Sequence, residues 1–80
     1  MPRFFFHTQT TVRFTDDEGM ELKGSIEARR QAIVACGEIL RDAAKEFWGS
    51  RPWSVTVTNA EGLVLWEIYV DGTSAPAAPE

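Results

Sequence analysis

The chain is short of several things that chemistry usually requires. It has one cysteine, Cys36, and one histidine, His7, in 80 residues. A lone cysteine excludes an intramolecular disulfide and any zinc site built on paired thiolates. No Gly-x-Gly-x-x-Gly, Gly-Lys-Ser/Thr, Gly-x-Ser-x-Gly or His-Glu-x-x-His pattern occurs. The usual phosphate-binding, nucleophile and zinc-protease signatures are therefore missing. No apolar run approaches the length of a membrane span. Residues 1–7 are too short for a signal-peptide core and offer no small-residue cleavage site. The expectation is a cytoplasmic protein without a membrane partner. Basic residues are also few, eight against twelve acidic, for a net charge of −4. Phosphate backbones are held by dense cationic surface, so nucleic acid is not the expected partner.

What is present is a long amphipathic segment, residues 25–48. At helical spacing Ile26, Ala28, Ala32, Ile33, Ala35, Cys36, Ile39, Leu40, Ala43, Ala44 and Phe47 share one broad arc. Glu27, Arg30, Gln31, Glu38, Arg41, Asp42 and Lys45 take the other side, with Val34 the apolar exception. An arc this wide suits packing on a sheet better than a coiled-coil seam. Ser25 is the expected N-cap and Gly49 the expected left-handed stop, with Pro52 barring continuation. Gly37 interrupts the helix and would permit a close approach. Cys36 reads as a small buried hydrophobe.

Strand patterns flank the helix. Residues 3–9 are aromatic and β-branched, and Phe4, Phe5 and Phe6 make both faces apolar, as in a central strand. Residues 10–15 form a second strand, and the acidic run Asp16-Asp17-Glu18-Gly19 turns the chain toward the helix. After the helix, residues 53–58 alternate, with Trp53, Val55 and Val57 on one face. Asn59-Ala60-Glu61-Gly62 is a hairpin loop, with Gly62 suited to a left-handed position. Residues 63–70 form a fourth strand, with Val64, Trp66, Ile68 and Val70 inward and Leu63, Leu65, Glu67 and Tyr69 outward. The expected fold is α+β: ββαββ, a four-stranded, mostly antiparallel sheet with one long helix on one face. Residues 1–70 form the single domain, and 71–80, rich in Gly, Ser, Ala and Pro, a disordered tail.

Four stretches carry a family resemblance. They are Pro2-Arg3-Phe4-Phe5-Phe6-His7, Asp17-Glu18-Gly19-Met20-Glu21-Leu22, Glu27-Ala28-Arg29 and Trp53-Ser54-Val55-Thr56-Val57-Thr58-Asn59-Ala60-Glu61-Gly62. The chain resembles a family of short bacterial proteins, a domain of unknown function that opens with Pro-Arg-aromatic-Phe-Phe-His. The likeness covers roughly residues 2–70 and departs at residues 9–12, where the family often carries Asp and Gly. It implies a class and no activity.

Candidate chemistry is sparse. His7 has no Cys or Ser partner that would suggest a triad and reads as hydrogen-bonded structure. Asp16, Asp17 and Glu18 lack the spacing of a calcium loop and read as a solvated acidic turn. Trp53 and Trp66 read as core, and Trp48 as closing its lower end. No catalytic residue, cofactor or metal ligand is assigned, and an enzyme is not expected. The leading expectation is a protein-interaction module, a homodimer or an adaptor, whose interface is Phe5, Leu63, Leu65 and Tyr69 on the outer sheet face. The alternative is a nucleic-acid-linked regulator, antitoxin-like or RNA-binding, with Arg3, Arg13, Arg29 and Arg30 as its basic surface. Small-ligand binding between sheet and helix is a third class, against which Ala28, Ala32 and Ala35 suggest close packing. Arg29, on the apolar arc in the first helical turn, is expected to clamp the acidic loop through Asp17 or Glu18.

Overall fold

A computed structural model describes residues 1–79. Strand β1 (Arg3–Gln9) is followed by two short strands, β2 (Arg13–Phe14) and β3 (Met20–Glu21). Helix α1 (Ser25–Asp42), a 3₁₀ turn (Ala44–Glu46) and the short helix α2 (Phe47–Ser50) lead to β4 (Trp53–Thr58) and β5 (Val64–Val70). All pairings are antiparallel, in the order β2-β1-β4-β5, with β3 on β1 beside β2. The α+β class and the internal position of β1 agree with the sequence. Among the described residues the sheet has five strands, because residues 10–15 supply only a two-residue strand and Met20–Glu21 adds another.

The helix covers one face. Ala28, Ala32 and Cys36, one turn apart, are buried with Phe4, Val55 and Val57. Small side chains let the helix axis come close to the sheet, so the alanines set the layer spacing. Phe6, Leu22, Ile39, Leu65, Trp66, Ile68 and Val70 pack around this centre. Ile26 and Ile33, expected on the buried arc, are exposed. The covered stripe is narrower than the apolar arc.

The helix ends differ from expectation. Gly24, with an extended backbone, is the N-cap; among the described residues no side chain caps the helix, and Ser25 is its first residue. The single helix expected over 25–48 breaks at Ala43, and Gly49 lies inside α2 without a positive φ. Arg51 is extended before Pro52, as the proline ring requires of its predecessor. Gly37 makes no close approach: a Cβ built there meets nothing within 4 Å. Phe47, buried, meets Trp53 edge-on at 5.3 Å, while Trp48 is exposed. Phe47 therefore closes the lower core in the place expected for Trp48.

The hairpin joining β4 and β5 is built by Asn59, whose Oδ1 accepts the Glu61 and Leu63 amides at 3.0 Å each. Gly62 takes φ 82°. The register slips by one residue, with Val57 opposite Trp66 but Thr58 opposite Val64. This bulge turns Val64 outward and lets Leu65 pack on the core, the reverse of the expected alternation.

Candidate functional site

The network around Asp16 begins at the outer edge of β1. That edge pairs with β3 at Arg3 and Phe4 and with β2 at Thr8 and Gln9, leaving the Phe6 amide between them. Asp16 fills the gap, its Oδ2 accepting the Phe6 N–H at 3.1 Å. Its Oδ1 accepts the Glu18 and Gly19 amides, both at 3.1 Å. Burial alone would raise this carboxyl's pKa. The bonds from the Gly19, Phe6 and Glu18 amides outweigh it and hold the pKa below its ordinary value. The Asp16 N–H donates to His7 Nδ1 at 3.0 Å, so the neutral ring carries its proton on Nε2, which contacts Thr58 Oγ1 at 3.1 Å. Both ring nitrogens of His7 are thus engaged, and Thr58 is buried.

Gly19 holds the turn against the strand. Its φ is 72°, and an added Cβ would lie 2.8 Å from the Phe4 carbonyl oxygen and 2.9 Å from the Phe5 ring. The cation that grips this loop is Arg3, not Arg29. Arg3 Nη1 donates to the Glu18 carbonyl at 2.7 Å, and Nη2 lies 3.6 Å from the Glu21 carboxylate. The Arg29 guanidinium instead lies over the Trp66 ring, 5.7 Å from its centroid. Among the described residues no ion pair joins Arg29 to Asp17 or Glu18. The reason is direction. Arg29 leaves α1 on the β5 side, whereas the acidic loop lies on the β1 side.

The sheet face away from the helix is polar at its middle. Successive rows are Phe5–Thr58–Val64, His7–Thr56–Glu67 and Gln9–Ser54–Tyr69. A shallow pocket of about 180 Å³ is lined there by His7, Gln9, Arg13, Thr56, Glu67 and Tyr69, among others. The expected interface of Phe5, Leu63, Leu65 and Tyr69 is not one patch. Phe5 and Tyr69 are separated by the polar row, Phe5 is partly covered by the Gly19 turn, and Leu65 packs on the core. Leu63 and Tyr69 remain exposed.

A further feature was not foreseen from the sequence. β5 forms one border of the sheet, and among the described residues no strand pairs with its outer side. Val64 and Tyr69 on it are exposed, as are Ile26 and Ile33 of α1. Strand order alone exposes this edge, so no residue motif could have announced it. Cys36 is buried, and burial pushes its thiol pKa up, as befits a packing residue. Among the described residues no three His, Cys, Asp or Glu side chains are grouped to hold a metal, and no helix is long and apolar enough to cross a membrane.

Fold and surface together define a small α+β domain: an antiparallel sheet with one face under a helix, one face polar, one border sealed by a carboxylate and the other open. The chain belongs to the family described as Domain of unknown function (DUF6894), whose model matches residues 3–71. No curated protein and no solved structure matches it.

Proposed function

We propose that this domain is a non-enzymatic protein-interaction module that works by strand addition at the free edge of β5. One observation carries the reading. β5 is seven residues long, and its outer hydrogen-bonding groups have no partner strand among the described residues. Such an edge is a template for another strand, and proteins that do not use it usually blunt it with proline, charge or a very short strand. β5 has no proline and one charged residue, Glu67. Its bulge is confined to the end near Leu65, so Trp66 to Val70 stay regular. The opposite border, by contrast, is made of two-residue strands and the Asp16 carboxylate.

The distribution of cations favours protein over nucleic acid. Arg3 is engaged with Glu18 and Glu21, Arg29 with Trp66, and Arg13 borders a pocket that also holds Glu67. His7, with both ring nitrogens engaged, favours a binding role over acid–base work. Sedimentation velocity of the full chain from micromolar to millimolar concentration tests the reading. Association is expected above the monomer mass of 9.0 kDa. Paired Val64→Glu and Tyr69→Glu substitutions on the exposed edge should abolish it. A chain that stays monomeric throughout and retards a nucleic-acid probe at low salt would replace this reading with the nucleic-acid one.

A further inference from the structure

We propose that the strand added to β5 is β5 of a second copy of this chain, paired about a two-fold axis at Ile68, with the α1 flanks meeting across the same axis. This rests on the strand-addition reading and names its partner and register. A two-fold axis normal to a sheet keeps every side chain on its own face. Residues opposed across it must therefore share parity along the strand, and the axis must pass through a residue. Near the middle of β5 the choices are Trp66, Glu67 and Ile68.

Charge separates the three registers. An axis at Glu67 sets two carboxylates directly opposite, which disfavours pairing. An axis at Trp66 sets Glu67 against the partner's Leu65, at the bulge, and gives the carboxylate no polar partner. An axis at Ile68 sets Glu67 against the partner's Tyr69 and Trp66 against the partner's Val70. Within one chain the Tyr69 hydroxyl already donates to Glu67 Oε2 at 3.3 Å. The Ile68 register offers the same pairing twice more across the seam.

The helix adds an independent observation. Ala28, Ala32 and Cys36 mark its buried line, and Arg29 over Trp66 marks the direction toward β5. Stepping about 100° per residue, Ile33 and Ile26 lie roughly 40–60° beyond Arg29 in that direction. They are 58% and 59% exposed, on the side of the helix above the free edge. A second copy on β5 would bring its own pair toward them, joining apolar contact to the strand hydrogen bonds.

Disulfide trapping tests the register, with full-length chains carrying Cys36→Ala so that only introduced thiols react. Chains with Glu67→Cys are mixed with chains bearing Tyr69→Cys under mild oxidation. The mixture should give a covalent dimer. Glu67→Cys chains alone should not, because two residues of offset exceed the roughly 7 Å that a disulfide spans. Covalent dimer from Glu67→Cys chains alone would overturn the register. No trapped dimer from either, with wild-type chain still associating, would overturn the β5 seam and leave an interaction module of another geometry. A strictly monomeric wild type would sink both readings. Ile33→Glu tests the helix flank: association should weaken at least about tenfold, or about 1.4 kcal/mol, at unchanged melting temperature. Unchanged association would remove the helix from the interface.

Discussion

At the scale of single residues, Asp16 has the most to lose. One carboxylate accepts three backbone amides, two of them part-buried and one exposed, and each such bond contributes about 0.5–1.5 kcal/mol net. Asp16→Ala should therefore destabilise the domain by about 2 kcal/mol or more, measured by denaturant melts. The pH dependence has a definite sign. The folded-state pKa is lowered, so this stability is fully present above the unfolded carboxylate value, about pH 4. It is lost as pH falls through the lower folded value. Asp16→Asn should flatten that part of the acid limb of the stability curve, and an unchanged limb would remove Asp16 as its source. Gly19 is the companion case. Gly19→Ala meets both a positive φ and the Phe4 carbonyl, and should cost about 1–3 kcal/mol. A melting temperature equal to wild type would show that the turn can open without loss.

At the scale of elements, α1 is suboptimal where nothing touches it. Gly37 faces open space, so its cost is that of glycine in a helix interior, about 0.5–1 kcal/mol relative to alanine. Gly37→Ala should raise stability by about that amount in the same melts. A loss would mean that Gly37 meets a neighbour after all. The break at Ala43 has another origin. Ala43, Ala44 and Lys45 are all good helix formers, and no breaker occupies the junction. Its location follows from the far side, where Phe47 packs on Trp53 and Ser50 Oγ accepts the Trp53 Nε1–H at 2.8 Å. Packing of two large rings outweighs the small propensity of three residues.

At the scale of the whole molecule, the domain runs slightly past its expected limit. Arg51 Nη1 donates to the Trp48 carbonyl at 2.9 Å, and its guanidinium lies over the Trp48 ring at 5.3 Å. The same guanidinium bonds the Gly72 carbonyl and lies 3.5 Å from the Asp71 carboxylate. Gly72 sits so close to Trp48 that a Cβ would fall 2.7 Å from the ring. Asp71 and Gly72, expected in the loose tail, thus belong to the fold. Residues 73–79 are exposed, and Glu80 lies outside the described residues. Truncation after Gly72 should leave the melting temperature unchanged, while truncation after Val70 should lower it by a few degrees. Equal melting temperatures for the two would mean that the Arg51 contacts contribute nothing.

Much of this was legible because it depends on local spacing. The extents of β1 and β4, the internal position of β1, the Asn59–Gly62 hairpin and the close packing of Ala28 and Ala32, with Cys36 a small buried hydrophobe, follow from periods of two and about 3.6 and from turn chemistry. What sequence could not decide were choices between partners far apart in the chain. The bulge that exchanges Val64 and Leu65 depends on register against β4. Whether Arg3 or Arg29 grips the acidic turn depends on which side of the sheet each element lies. The seal on β1 needs Asp16 to meet an amide ten residues away, between two short strands that no propensity marks. The open border at β5 is a property of strand order alone. Local chemistry is carried by neighbours in sequence, whereas edges, faces and registers exist only once distant strands are side by side.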